Sequence, residues 1–345
     1  MIKWPSIEQF RSVIRNVQHK AQYVRTEVDG TVVMNRAAAM PTLKFEGTVK
    51  LHGTNASVVL SPSGEVYAQS RENIITVEKD NAGFARFVED SKEDFISILR
   101  YTHTYNSTLQ VSHPYTILYG EWCGGSIQKG VAINQLPKMF VVFGVAFSDG
   151  EGNKVYANRA IVQDVTKGGF TKEIKCIYEF PTYDIDIDFE QPLLSQNALG
   201  ELTLAVEQEC PVAKQLGVSG VGEGIVWRCV NPGYEDSAFW FKVKGEKHSA
   251  SRVKILAAVD VEKVNSIAEF VDKVLTDSRL QQGVDFLIES QLTLEPKNTG
   301  TFLSWINRDV LKEESDTMSE SGLEMGEVGK ELQRKARTWF LHQFA

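Results

Sequence analysis

No stretch of this 345-residue chain approaches the roughly 20 consecutive apolar residues that a helix needs to cross a bilayer. Its first residues, MIKWPSIEQF, also lack the apolar core of a secretory signal. The expectation is a cytoplasmic protein with no membrane partner. Cysteine is scarce too: Cys123, Cys176, Cys210 and Cys229 are scattered, with no Cys-x-x-Cys pair and no histidine at zinc-site spacing. A disulfide framework and a structural zinc site are therefore not expected, and the thiols should be reduced. A surplus of positive charge is missing as well. Lys and Arg number 37 against 45 Asp and Glu, giving a net charge of −8. That argues against a broadly basic nucleic-acid surface and leaves a local basic cleft in an acidic exterior as the way to hold phosphate.

What is present is ordinary for a globular protein: 42% hydrophobic and 24% charged residues, in a chain long enough for one large domain or two. In SIEQFRSVIRNVQ, residues Ile7, Phe10, Val13, Ile14 and Val17 fall at helical spacing, which predicts a short helical lead-in followed by a connector up to about residue 40. From Pro41 to Lys244 the texture is short strands rich in β-branched and aromatic residues, such as YTILYGEW, MFVVFGVAF, GIVWRCV and AFWFKVKG. Helical patches, NAGFARFVED and EDFISILRYT, interrupt them. Regular βαβ alternation is absent, so the class expected is α+β with antiparallel sheets.

Beyond Ser251 strand patterns almost vanish. DVEKVNSIAEFVDKVL places Val261, Val264, Ile267, Ala268, Val271 and Leu275 on one helical stripe. NTGTFLSWINRDVLKEE and GKELQRKARTWFLHQF continue in that style. The division predicted is residues 1–250 and a small, mostly helical unit over 251–345. Within the latter, the acidic, Ser-rich KEESDTMSESGLEMGE reads as a mobile loop. Lys330, Arg334, Lys335 and Arg337 near Trp339 could meet a nucleic-acid duplex, but packing of that helix on its own unit is preferred.

The candidate chemistry starts at Lys50, which ends the strand-like TLKFEGTV and precedes a turn, LHG, into ASVVL. A lysine at such a junction can be desolvated at a cleft floor, and burial or neighbouring cations lower its pKa toward the neutral amine a nucleophile needs. Lys242 and Lys244 lie two residues apart on a strand and so share a face. Glu121 and Glu223 each sit beside glycine and a strand-like run, and Phe143 lies within an aromatic one. The order of the set is Lys-x-x-Gly, Gly-Glu, aromatic strand, Glu-Gly-x-Val, Lys-x-Lys.

That order resembles the covalent nucleotidyltransferase superfamily of ligases and capping enzymes, and more closely the ATP-dependent RNA ligases of the phage-type RNA ligase 2 family. The matching residues are KLHGTN at 50–55, SR at 70–71, YGEWCGGSIQKGV at 119–131, FVVFGV at 140–145, EGIVW at 223–227 and FKVKGE at 241–246. The resemblance implies an antiparallel-sheet, ATP-grasp-like adenylyltransferase domain in residues 1–250. It implies that Lys50 attacks the α-phosphate of ATP, holds AMP covalently and passes it to an RNA 5′-phosphate, after which a 3′-hydroxyl seals the strand. It further implies α-phosphate contacts from Lys242 and Lys244, a divalent ion, Mg2+ or Mn2+, near Glu223, and ribose hydrogen bonds to an ionised Glu121. Phe143 would stack on adenine, while Arg71 and Asn55 would serve phosphate or polynucleotide ends. RNA with 5′-phosphate and 3′-hydroxyl ends is the expected partner of a monomer.

Two positions depart from the pattern. Val49 stands where the phage enzyme has glutamate, so any base contact there must come from backbone, and Gly144 replaces an acidic residue after the stacking aromatic. His52 varies among relatives and reads as structural or solvent-facing. A DNA ligase or capping-type enzyme is the alternative, but it would need a five-stranded β-barrel after Lys244, where helices are predicted. A non-catalytic RNA-end-binding module would have lost Lys50, Glu223, Lys242 or Lys244, and all four are present.

Overall fold

The computed structural model describes residues 1–125, 127–168, 171–249 and 267–344. In chain order the elements are α1 (Phe10–Gln22), β1 (Tyr23–Thr26), β2 (Val32–Met34), β3 (Thr42–Lys50), β4 (Thr54–Leu60), β5 (Val66–Ser70), β6 (Ile74–Ile75), α2 (Phe84–Asp90), α3 (Lys92–His103), α4 (Tyr105–Thr108), β7 (Tyr115–Cys123), β8 (Met139–Ser148) and β9 (Lys154–Tyr156). They continue with α5 (Arg159–Val165), β10 (Ile174–Cys176), β11 (Thr182–Asp188), α6 (Gln196–Gln208), α7 (Pro211–Gln215), β12 (Gly224–Cys229), β13 (Trp240–Lys244), α8 (Ile267–Val274), α9 (Asp277–Glu289), α10 (Thr299–Glu320) and α11 (Met325–His342).

Two large sheets carry the first 244 residues. One is four-stranded, ordered β11-β3-β12-β13; the other runs β10-β8-β7-β4-β5-β6, with β9 also on β8. All ladders are antiparallel except β10 on β8. The alternation of strand side chains distributes the core. On β4, Ala56, Val58 and Leu60 face a cluster covered by Phe84, Phe95 and Ile98 of α2 and α3, while Val59 points the other way, to Trp4 and Tyr119. Between the sheets lies a second core, with Phe45 and Val49 of β3, Val141 of β8, Trp227 of β12 and Phe241 of β13. All four cysteines are buried and free.

The lead-in helix forms as its spacing predicts, burying Phe10, Val13 and Val17. The connector after it is instead a two-stranded hairpin, β1–β2. Its strands bury none of their residues, so no core periodicity announced them.

Helices α8–α11 pack around a core of their own that includes Phe270, Leu287, Phe302, Ile306, Leu332 and Phe340. Val261 and Val264 of the expected stripe lie outside the described residues; Val271 is buried within the stripe, whereas Ala268 is exposed. Among the described residues, no helix is long and apolar enough to cross a membrane. The acidic segment expected to be a mobile loop is largely helix, because α10 continues to Glu320. Asp309, just before that segment, and Glu314 within it are matched by distant cations. The fully buried Arg279 meets Asp309 at 2.8 Å and Glu314 at 3.2 Å, and Arg11 of α1 reaches Glu314 at 3.5 Å. A buried charge is tolerated only with such partners. Trp339 of α11 stacks on Phe302, Arg334 pairs with Glu331, and Lys335 pairs with Asp272, so these residues pack within the helical unit.

Arg279→Met removes the cation of Asp309 and leaves Glu314 without its α9 partner. We expect a loss of about 3 kcal/mol or more, since breaking a buried pair strands a charge; urea unfolding monitored by tryptophan fluorescence would measure it.

Candidate active site

Lys50 is the last residue of β3, and Thr54 opens β4 in the other sheet, so the lysine stands where the chain crosses between sheets. The crossing is tight at Gly53. A Cβ there would lie 2.3 Å from the carbonyl oxygen of Trp122, which no other residue could tolerate. The Gly53 N–H donates to Glu121 Oε1 at 2.9 Å, tying the crossing to β7.

Strand register then assembles the charged centre. Gly224 of β12 pairs with Lys50 on one side and with Lys244 of β13 on the other, which puts Glu223, the preceding residue, against both lysines. Its Oε2 accepts from Lys50 Nζ at 2.7 Å, and its Oε1 lies 3.0 Å from Lys244 Nζ. His52 Nδ1 stands 3.4 Å from the same Oε2, and its ring meets His248 edge-on.

Glu223 is 2% exposed, and burial alone would raise its pKa; Lys50 and Lys244 outweigh that and hold the carboxylate well below its ordinary range. Burial likewise would lower the Lys50 pKa, but Glu223 and Glu121 outweigh it and keep the amine charged above its usual range. Lys244 goes the other way: burial lowers it, with Lys50 and Lys242 adding to the effect against Glu223. The Lys50 amine is thus a cation held by Glu223. Burial raises the pKa of the Glu121 carboxyl, against the pull of Lys50. A proton on it would let it donate as well as accept.

Phe143 owes its aim to a β-bulge. The β7–β8 register passes from Tyr119↔Gly144 to Gly120↔Val142, leaving Phe143 as the extra residue and the one half-buried side chain of its strand. Opposite it, Val226 and Arg228 alternate onto the cavity face of β12. Arg228 lies over the rings of Trp4 and Trp240 and donates to the Phe143 carbonyl at 3.0 Å. Trp4 also explains the departure at Gly144: a Cβ there would come within 2.4 Å of the Trp4 ring.

One cavity of about 580 Å3 gathers every residue expected at a nucleotide site: Lys50, Lys242, Lys244, Glu121, Glu223 and Phe143, together with Val49, Asn55 and Arg71. Asn55 faces Glu121 across the β4–β7 ladder. Val49 is buried, and the β11 ladder stops at Thr48, short of it. Lys242 shares its strand face with Lys244 but turns to Glu313 of α10, 3.6 Å away. His52, read as structural or solvent-facing, stands beside the central carboxylate, a contact that a structural role allows. Trp4 carried no sequence signal. Arg228 had one, the two-residue spacing from Val226.

The far wall is helical. Glu289 of α9 accepts from Thr54 Oγ1 at 3.1 Å, and its backbone carbonyl accepts from Asn73 Nδ2. Gln9 donates to Glu313, joining α1 to α10. Burial pushes the Glu289 pKa from an ordinary 4.5 up to about 7, with Arg71 pulling it down.

Residues 43–244 match the model of the family described as RNA ligase. No curated protein sequence matches the chain. Among solved structures, a Naegleria gruberi RNA ligase mutant with ATP and Mn is 19% identical, with a TM-score of 0.44 over 71% of this chain and 57% of that one. A mutant of the same ligase with AMP and Mn is 19% identical, with a TM-score of 0.42 over 71% and 56%. The chain thus spans a little over half the length of those ligases.

Two outcomes follow from this geometry. Between pH 4.5 and about 7 the folded protein keeps a proton on Glu289 that the unfolded chain has lost, so stability should fall as pH rises through that window. Glu289→Gln should flatten that part of the profile of melting temperature against pH. Gly144→Asp should cost about 1–3 kcal/mol through overpacking against Trp4, and thermal melts should show most of that added cost vanish when the same change is made in a Trp4→Ala background.

Proposed function

The chain belongs to the RNA ligase family, and on that premise we propose that it seals RNA ends with ATP through an AMP held covalently on Lys50. The observation that carries this reading is the contact set of Lys50, Glu223 and Lys244 at the crossing between the two sheets, facing Phe143 across one cavity. Adenine stacks on Phe143, with Val226 opposite and backbone at Val49 meeting the base edge, because valine has no polar side chain. Glu121 and Asn55, side by side, take the ribose hydroxyls and nearby phosphate oxygens. Arg71 at the rim binds phosphate through its planar fork.

In the first step the phosphate oxygens and the Glu223 carboxylate compete for the same lysines. Lys244 and Lys242 move part of their attraction to the α-phosphate, whose oxygens gain charge as the bond forms. Lys50 gives up a proton, its nitrogen bonds to phosphorus, and the bond to pyrophosphate breaks. AMP then passes to the RNA 5′-phosphate, and the 3′-hydroxyl displaces it. The donor set suits a metal that arrives with the nucleotide. Among the described residues no three His, Cys, Asp or Glu side chains form a cage, whereas Glu223 offers one carboxylate beside the phosphate seat. A bound Mg2+ or Mn2+ would neutralise phosphate charge there.

The DNA ligase or capping alternative is disfavoured because no strand follows β13 among the described residues. Residues 1–250 serve as the adenylyltransferase unit and 251–345 as the helical one, in a chain that acts as a monomer on RNA bearing 5′-phosphate and 3′-hydroxyl ends.

With radiolabelled ATP and magnesium, label should remain on the protein through denaturing electrophoresis, with none from GTP. Lys50→Ala should abolish it, and Lys244→Ala should slow it by about 10²–10³-fold, as for loss of one transition-state donor. Labelling should accelerate as pH rises, because Lys50 begins as a cation. Absence of label from either nucleotide would overturn the reading, and ligation of nicked RNA, single-stranded RNA and nicked DNA would then define the substrate.

A further inference from the structure

A β-bulge leaves its extra residue outside the ladder, so strand register does not fix where that side chain points. Packing must do so, and at Phe143 much of it comes from Trp4. The Trp4 indole meets the Phe143 ring with 5.3 Å between centroids and 64° between planes. Its benzene edge covers the next residue, where a Cβ on Gly144 would lie 2.4 Å from Cη2 and 2.7 Å from Cζ3. The indole also lies 4.8 Å from the ring of Tyr119, the residue paired with Gly144 at the bulge. Arg228 completes the set. Its guanidinium stands 5.1 Å from the Trp4 ring and 4.8 Å from that of Trp240, while it donates to the Phe143 carbonyl at 3.0 Å. Among the described residues no carboxylate pairs with Arg228, and its Nε is buried without a hydrogen-bond partner. The two indoles hold this cation, so the bond that ties the bulge to β12 also depends on Trp4. The indole is itself fastened from behind. The buried Gln69 accepts from the Ile2 N–H at 3.0 Å and donates to the Ile2 carbonyl at 3.2 Å, and Tyr119 donates to that carbonyl at 2.9 Å. Trp4 is buried in this setting, yet it lines the cavity together with Phe143.

We propose that Trp4 is a positioning residue for nucleotide binding: it wedges the bulge and fixes the Phe143 ring in the place where the base of ATP stacks. This rests on the stacking role given to Phe143 above. One indole constrains the bulge three times, through the Phe143 ring, the Gly144 backbone and the Arg228 bond to the Phe143 carbonyl. With the ring ordered before ATP arrives, less freedom is lost on binding, and affinity gains accordingly. Trp4 touches no reacting atom, so its effect falls on the binding of ATP and leaves the displacement at phosphorus alone. An indole that served the core alone would lower the melting temperature without changing the nucleotide affinity of the folded chain.

The test uses the full-length chain carrying Trp4→Leu, Trp4→Phe or Phe143→Ala, and Trp4→Leu with Phe143→Ala together, each assayed well below its own melting temperature. The rate of lysyl-AMP formation is followed against ATP concentration. In Trp4→Leu the half-saturating ATP concentration should rise about three- to tenfold, the worth of one aromatic pair, at a nearly unchanged maximal rate. Trp4→Phe keeps a ring beside Phe143 and should recover most of that loss. In the Phe143→Ala background Trp4→Leu should add almost nothing, because its effect passes through that ring. Should Trp4→Leu fail to fold, Gly144→Ala takes its place: the added methyl displaces the indole and should raise the half-saturating concentration alike. If the native chain forms no lysyl-AMP, or Phe143→Ala binds ATP as the native chain does, the functional reading or its stacking role falls and this inference with it. If the native chain labels, Phe143→Ala is impaired, and the Trp4 and Gly144 variants match the native ATP dependence, only this inference falls. An effect of Trp4→Leu that persists undiminished in the Phe143→Ala background would also overturn it and make Trp4 a contact of the nucleotide itself.

Discussion

One buried carboxylate organises this protein. Glu223 is enclosed by Lys50, Lys244 and His52, and an isolated charge at that depth would be too costly to keep. The three strands that bring these groups together are neighbours, so the pairing of β3, β12 and β13 and the neutralisation of Glu223 are one constraint. The same contacts define a resting state in which the prospective nucleophile is a cation. On the lysyl-AMP reading proposed above, a polyphosphate arriving between the lysines would redistribute the charge around Glu223. The space beside Phe143 is built independently, from a bulge at Phe143 and the Trp4 indole from the first residues of the chain.

How much of this could be read from the residues alone depended on which physical signal each part left. Strands of the two sheets were legible through β-branched runs, and α1–α3 through apolar spacing, because both bury one face. The β1–β2 hairpin buries nothing and was invisible. The helical course of Lys312–Glu320 was hidden for the opposite reason. Its Glu314 reads as solvated, and the cations that justify burying it, Arg279 and Arg11, lie 35 and 303 residues away.

The site divides along the same line. Lys50, Glu121, Phe143, Glu223, Lys242 and Lys244 come in short stretches whose order is informative, and the structure gathers all six in one cavity. What order could not convey is the state of each group: that Lys242 turns away to Glu313, that burial raises Glu121, or that His52 reaches the central carboxylate. The helical wall had no motif at all. Its residues are an unremarked helix stripe until the fold lines the cavity with them.

The tie between Gln9 and Glu313 joins residues 304 positions apart. During synthesis the sheets can fold once Lys244 has left the ribosome, since their strands are then complete. The cleft at that stage is an open trough, its lysines exposed to any polyanion nearby. Only when α10 emerges, roughly 70 residues later on the same chain, does the trough gain its second wall. One wall of the cavity therefore comes from residues made after both sheets are complete in sequence, so the cavity cannot close until α10 has been made.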